Sequence, residues 1–235
     1  MWDNAILLRN IANAMLLFSA CAALYGAAYH VMHLPEAFPL RSVRLSVAPQ
    51  RVDAEHVLQV LRMEVQGNLV TADIGHIRQS LEKLPWVRSV NIRREFPDRL
   101  TVSLEEHQAL ARWNNASLVN QQGEVFVADS EQVLPEFAGP EGTSAEVAQQ
   151  YAEFSQQLAV LDLHAKQLVL SPRHAWQIRL SNGMVLKLGR EDVQQRLAKF
   201  VAVYPYSLYA MQGKVKYVDL RYRNGFAVGG LTKQS

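Results

Sequence analysis

The run Ser80-Leu81-Glu82-Lys83 has the S-x-x-K spacing of penicillin-recognising acyl enzymes. On a helix that spacing sets a lysine one turn from a serine, where it can take the hydroxyl proton. Ser181-Asn182-Gly183 faintly echoes the second motif of those enzymes, but the K-T-G element is missing. Ser80 also lies within an amphipathic stripe of apolar residues, and Ser181-Asn182-Gly183 reads as a hairpin turn. Acyl transfer is therefore not expected. Metal chemistry fares no better. His30 and His33 share a helix face with no third ligand nearby in the sequence, and His56, His76, His107, His164 and His174 stand apart with no H-E-x-x-H among them. Glu105 and Glu106 are neighbours on a strand, so they point to opposite faces and cannot share a site. There is no G-x-S-x-G, no Walker loop and no G-x-G-x-x-G. A single cysteine, Cys21, excludes an intramolecular disulfide and any zinc site built on a cysteine pair. The expectation is a protein without catalytic residues, cofactor, metal or small-molecule substrate.

The elements around these residues point elsewhere. The chain has 235 residues, which suggests one or two domains. Apolar residues make up 49% and charged residues 20%, so the chain can bury a core and is not disordered. The net charge of +2 and the scattered Lys and Arg give no footprint for nucleic acid.

From Ile11 to Val31 the sequence reads IANAMLLFSACAALYGAAYHV, and between Arg9 and Glu36 only His30 and His33 can carry charge. At ~1.5 Å per residue that length spans the ~30 Å hydrocarbon layer. A cleaved signal peptide would need a shorter apolar core and a more basic start, although Gly26-Ala27-Ala28 resembles a cleavage site. An uncleaved anchor is the better reading. Charge does not set its orientation: Arg9 is offset by Asp3, while Arg41 and Arg44 follow the span. The segments are then a tail at 1–10, a transmembrane helix at 11–33 and a proline-stiffened linker at 34–40.

Beyond the linker, Val43, Leu45 and Val47 alternate as a strand. Asp53 is placed to cap a helix carrying Val57, Leu58 and Leu61. Ile74, Ile77, Leu81 and Leu84 make a second helical stripe that Pro85 stops. Val90 and Ile92, the Phe96-Pro97-Asp98-Arg99 turn, and Leu100, Val102 and Leu104 read as a hairpin. Residues 41–107 thus predict a β-α-α-β-β unit with both helices on one face of a three-stranded sheet. Arg88, Arg93, Arg94 and Arg99 cluster around the hairpin. A solvated face is the default for them, an acidic partner surface the next reading, lipid headgroups the last.

Residues 108–230 predict a second, mainly antiparallel β domain with flanking helices. Trp113, Leu118-Val119-Asn120, the Gln122-Gly123 turn and Val125-Phe126-Val127 suggest a meander, and Pro135 to Gly142 a loop. Thr143 with Glu146 fits a capping box before a helical stripe of Val147, Tyr151, Phe154, Leu158 and Leu161. Leu168 and Leu170 form a strand. Asn182-Gly183 joins 176–180 to 184–188 as a two-residue hairpin turn. Val193, Leu197, Phe200, Val201 and Tyr204 form a helix that Pro205 ends. Residues 215–222 read as a late strand at a sheet edge, with Val218, Leu220 and Tyr222 on one face and Tyr217, Asp219 and Arg221 on the other. A turn at Asn224-Gly225 leads to Phe226–Val228, and 231–235 is a tail. The fold class is α+β.

Several of these runs, in this order, resemble the FtsQ family of bitopic cell-division proteins, called DivIB in Gram-positive bacteria. Leu84-Pro85-Trp86-Val87 with Arg93-Arg94-Glu95-Phe96-Pro97-Asp98 and Leu100-Thr101-Val102 is similar to the end of the family's POTRA domain. Glu105-Glu106-His107-Gln108-Ala109, Trp113 and Gly123-Glu124-Val125-Phe126 resemble the start of its β domain. Leu134-Pro135 with Gly139-Pro140-Glu141-Gly142 resembles its next loop. Leu170-Ser171, Arg173, Ala175-Trp176, Asn182-Gly183 and Leu188-Gly189-Arg190 follow in family order. Val218-Asp219-Leu220-Arg221-Tyr222, Asn224-Gly225 and Ala227-Val228 close the match.

The resemblance implies a non-enzymatic divisome scaffold of the bacterial inner membrane and division septum, with a cytoplasmic N-terminus and periplasmic domains. It implies a ternary complex with FtsB and FtsL that links early and late division proteins and helps control septal peptidoglycan synthesis by FtsW and FtsI. The POTRA domain is implied to serve recruitment and FtsK, and the far end of the β domain to bind FtsB. Carried over position by position, the partner-binding residues are Arg173, Arg221, Tyr222, Asn224, Gly225 and Gly229. A strand at an open edge suits this role, because a partner segment can add to it as a further strand. The two glycines are expected to allow close approach of a partner backbone. This chain departs from the family pattern in its short N-terminal tail and in Gly229-Gly230-Leu231, where a Gly-Trp ending is common. The alternative reading is a POTRA-bearing assembly or transport factor, but the strands are too few for a barrel.

Overall fold

The computed structural model describes residues 5–34, 37–211, 213–222 and 225–230. Asp3, Pro35 and Glu36 of the linker, Asn224 and the 231–235 tail therefore lie outside the described residues. The chain divides into two compact units, residues 1–106 and 107–235.

The first unit begins with α1 (Ala5–His33), none of whose residues is buried. It is long and apolar enough to cross a membrane. Next come β1 (Ser42–Leu45), α2 (Ala54–Glu64), α3 (Ile74–Glu82), β2 (Val87–Glu95) and β3 (Arg99–Glu106). The sheet order is β1-β3-β2. β2 and β3 form the antiparallel hairpin, and β1 lies parallel to β3 with Ser42 opposite Arg99. Period-2 alternation turns Val90, Ile92, Leu100 and Val102 to one face. Period-3.6 stripes turn Val57, Leu61, Ile77 and Leu81 onto it, and all of these side chains are buried. Asp53 caps α2 by accepting from the Glu55 N–H at 3.0 Å. α3 starts the same way, with Asp73 accepting from the His76 N–H. Glu106 closes the unit: its carboxylate accepts from the N–H groups of Gln50, Arg51 and Val52 at 2.8–3.1 Å. Burial alone would raise the Glu106 pKa, but these three donors outweigh it and hold it below the ordinary value.

The second unit is one mixed sheet with helices. Its elements are β4 (Ala109–Trp113), β5 (Ser117–Asn120), β6 (Val125–Phe126), β7 (Glu136–Ala138), α4 (Ser144–Ala159), β8 (Ala165–Leu170), β9 (Trp176–Leu180), β10 (Val185–Gly189), α5 (Val193–Val203), β11 (Tyr217–Asp219) and β12 (Ala227–Gly229). Among the described residues nine strands pair in the order β12-β11-β10-β9-β8-β7-β4-β5-β6. The core joins Val147, Phe154 and Leu158 of α4 and Leu197 and Phe200 of α5 to Leu168, Ile178, Leu186 and Val218 of the sheet. Each such side chain contributes ~1.5–3 kcal/mol by leaving water.

Four local expectations need correction. Pro135–Gly142 is not all loop, because Glu136–Ala138 forms β7, a three-residue strand parallel to both β4 and β8. Three residues show no alternation, and only the two flanking strands define them. Thr143 does not build a capping box. It has φ −98° and no capping side-chain bond, and its hydroxyl donates instead to the Pro140 carbonyl at 2.7 Å. The β9–β10 hairpin holds a three-residue loop rather than a two-residue one. The Gly183 N–H bonds the Leu180 carbonyl at 3.0 Å and the Leu180 N–H bonds the Met184 carbonyl at 2.8 Å. Only Gly183 in that loop has positive φ, +86°. That is a type I turn followed by a left-handed glycine. Finally, Pro205 does not end the coil. A π-helical turn runs from Tyr204 to Leu208, with the Tyr209 N–H on the Tyr204 carbonyl, and a 3₁₀ turn follows at Tyr209–Met211. The wider turn passes Pro205, which has no N–H to give, near its start.

A candidate partner-binding edge

β11 is not the margin of the sheet, contrary to the expectation for residues 215–222. Its strand is only Tyr217–Asp219, parallel to β10 on one side and antiparallel to β12 on the other. The margin is β12, and among the described residues nothing pairs with its outer side. The predicted two-face alternation also stops early. Val218, Asp219 and Leu220 are all buried, while Tyr222 lies past the strand and is 59% exposed.

The backbone directions of this margin follow from the bonds. The Val185 N–H bonds the Lys216 carbonyl, and the Leu220 N–H bonds the Lys187 carbonyl. Val218 and Leu220 thus face β10, and Tyr217 and Asp219 face β12, opposite Gly229 and Ala227; Lys216, just ahead of the strand, gives its carbonyl to β10 and its N–H to the Gly229 carbonyl at 3.0 Å. Backbone groups alternate along a strand, so Val228 directs its N–H and C=O outward. Gly229 has a requirement within this chain: a Cβ on it would run into the Tyr217 ring. That ring lies between Gly229 and the Lys187 ammonium, which sits 4.3 Å from the ring centroid. Among the described residues, nothing lies within 4 Å of where a Cβ on Gly225 would stand.

Beside the margin, Asp219 and Arg221 form a bidentate pair. Arg221 Nε donates to Oδ1 at 2.8 Å and Nη2 to Oδ2 at 2.6 Å, and the Arg221 N–H reaches Oδ1 at 3.1 Å. The Arg221 side-chain bonds lower the Asp219 pKa, and the same bonds raise that of Arg221. The spread guanidinium forms one wall of a shallow hollow of about 280 Å³, lined by Arg173, Arg190, Glu191, Arg196 and Arg221. Four cations stand against two carboxylates, Glu191 paired with Arg190 at 3.2 Å and Asp219 held by Arg221, and the net excess of two positive charges suits an acidic group. Arg173 and Arg221, 48 positions apart, both line this hollow. Arg190 and Arg196 were missed. Their only sequence signal is the Leu188-Gly189-Arg190 run, since the turn before α5 and the first turn of that helix bring them here.

The other sequence candidates are otherwise engaged. Ser80 donates to Glu64 at 3.2 Å, and Glu64 also meets His76 Nε2 at 2.8 Å. The carboxylate stands between hydroxyl and imidazole, which is not the order that activates a serine. Glu105 pairs with Arg88 at 2.5 Å while Glu106 holds the 50–52 backbone. His107 stacks on Phe126 at 4.1 Å. Among the described residues no group of three or more His, Cys, Asp or Glu is placed to hold a metal ion.

Taken together, an N-terminal helix long and apolar enough to cross a membrane, a β-α-α-β-β unit and a mixed-sheet unit define the class of protein. Comparison with known proteins narrows the class. Residues 38–107 match the FtsQ-type POTRA domain, and residues 111–221 match the C-terminal region of cell division protein FtsQ/DivIB. Cell division protein FtsQ of Nitrosospira multiformis is 38% identical over 98% of this chain and 99% of its own length. That of Burkholderia pseudomallei is 35% identical over 97% and 94%. That of Escherichia coli is 40% identical over 72% of this chain and 64% of its own. The chain belongs to the FtsQ/DivIB family of cell-division proteins.

Proposed function

We propose that this chain is a non-enzymatic divisome scaffold that captures FtsB, together with FtsL, by adding a segment of the partner to β12. In this reading α1 spans the inner membrane with the N-terminus in the cytoplasm, and both units work in the periplasm at the septum. The complex links early and late division proteins and biases septal peptidoglycan synthesis by FtsW and FtsI. The first unit serves recruitment, with FtsK as its expected contact. The observation that carries the reading is the β12 margin, where Val228 presents an outward donor and acceptor beside the arginine hollow. A partner strand would gain main-chain bonds along Ala227–Gly229, and an acidic side chain on it would enter the hollow. Tyr222 is the exposed aromatic anchor next to it. Asn224 and Gly225 belong to the proposed site through the resemblance. Gly229 belongs to it as the strand residue that lets Tyr217 lie flat.

Two experiments test this. Full-length chain extracted from membranes should co-purify with FtsB and FtsL. Cells depleted of it should grow as filaments without septa. Normal septation after depletion, or failure to retain FtsB, contradicts the proposal.

A further inference from the structure

Hydrogen bonds in the first unit gather at one end of its sheet. The last carbonyls of α1 are not left to water. The buried Asn68 amide donates to the Met32 and Leu34 carbonyls at 2.8 and 3.0 Å, while its Oδ1 accepts from the N–H groups of Val70 and Thr71. The Leu69 N–H then bonds the Phe38 carbonyl at 2.9 Å. Arg94 ties in the hairpin, reaching the carbonyls of Leu69, Val70 and Ala72 at 2.7–3.2 Å. The N–H groups of Arg41 and Ser42 both meet the Asp98 carbonyl. Chain entry, the 67–72 loop and the β2–β3 turn thus share the end of the sheet next to α1. β1 and β3 run away from it, and the chain leaves the unit at the opposite end, at Glu106.

That end carries an exposed aromatic pair. Phe38 and Phe96 meet edge to face with centroids 6.1 Å apart, and they are 41% and 66% exposed. Phe38 lies four residues past Leu34, so it is at most ~14 Å from it. Within three positions of one ring or the other in the chain, Arg41, Arg93 and Arg94 are exposed and Arg99 is half-buried, against the carboxylates of Asp98 and of Glu95, which lies 4.0 Å from Arg99. Two exposed rings beside an apolar helix end, with an excess of guanidinium groups, fit the boundary between acyl chains and anionic headgroups. We propose that the Phe38–Phe96 pair and its arginines dock on the bilayer surface from which α1 emerges, so that the first unit is seated on the membrane rather than swinging from its linker. The proposal rests on α1 spanning the bilayer.

The test uses the full chain with Cys21→Ser, reconstituted in phosphatidylethanolamine–phosphatidylglycerol vesicles and carrying one nitroxide at a time. Labels are placed by Leu17→Cys, Phe96→Cys, Asp98→Cys and Val160→Cys, and collisions with oxygen and with a water-soluble nickel chelate are compared. Position 17 should read as deep lipid and position 160 as water. Positions 96 and 98 should show nickel access at least threefold lower than position 160. The label at 98 leaves both rings in place, and its protection should disappear in Phe96→Ser. Water-like labels at 96 and 98 beside a lipid-like label at 17 overturn the docking alone. A water-like label at 17 overturns the membrane span and the docking with it. Protection at 98 that needs a second protein in the vesicle also overturns the lipid as occupant.

Discussion

The two margins of the nine-stranded sheet are both unpaired on one side among the described residues, yet they are built differently. β6 is two residues long, and side chains crowd it: Asn120 bonds the Glu124 N–H and carboxylate, and His107 stacks on Phe126. Short, crowded edges resist strand addition. β12 is longer, directs the Val228 backbone outward and lies beside four arginines. An open edge is therefore not a docking site by itself. Length, backbone direction and adjacent charge separate the margin proposed to receive a partner from the margin that is blunted.

Breaking the difference should be easiest at the backbone. Val228→Pro removes the outward donor and leaves the bonds to β11 in place. Affinity for FtsB in calorimetry should fall a hundredfold or more, about 2.8 kcal/mol. Val127→Pro, just past β6, should leave affinity within about twofold on the scale where neutral substitutions fall. Equal losses would mean that the two margins do not differ in function.

The anchor comes next. Tyr222→Ala should cost about 2 kcal/mol of binding, roughly thirtyfold, with unchanged thermal stability, because the ring is exposed and supports no core. Unchanged affinity would remove Tyr222 from the site. Charge follows: Arg173→Glu should weaken capture by about tenfold and slow association at low salt, whereas Arg78→Glu in the first unit should do neither. Arg173 is the cleaner test because Arg221 is bonded to Asp219.

The smallest effect concerns pH. Asp219 has a lowered pKa because Arg221 donates to its charged form. The unfolded chain therefore binds that proton more readily than the native one does. The stabilisation is fully present above the ordinary carboxylate range and is lost as pH falls below it, through the depressed native value. Asp219→Asn should lower stability at neutral pH by about 1 kcal/mol and flatten part of the acid limb of thermal stability against pH. An unchanged acid limb would show that the pair does not hold this corner of the sheet.

Where order along the chain decides structure, the residues were readable. The Ile77–Leu81 stripe, the β2–β3 hairpin and the pairing of β9 with β10 are set by periodicity and turn residues and form as their patterns imply, although the β9–β10 loop is one residue longer than the Asn182-Gly183 signal suggests. β7 was not readable, because Phe137 becomes a strand residue only by lying between two distant partners. The outermost strand was legible in part: the Asn224-Gly225 turn followed by Phe226–Val228 points to a chain reversal, and the edge expectation for 215–222 left out that the returning segment would pair with Tyr217–Asp219. Arg173 and Arg221 came from family resemblance, since no local pattern links positions on two different loops. The Asp219–Arg221 pair was within reach, two positions apart, but its bidentate geometry depends on the strand ending at Asp219.

In the proposed complex β12 receives another polypeptide's backbone. Hydrogen exchange at the Val228 amide reads this directly in the full chain with and without an FtsB segment. Exchange should be fast in the chain alone and at least tenfold slower when the partner is bound, with Val125 in β6 unchanged. Binding that leaves the Val228 amide as exposed as before would contradict it.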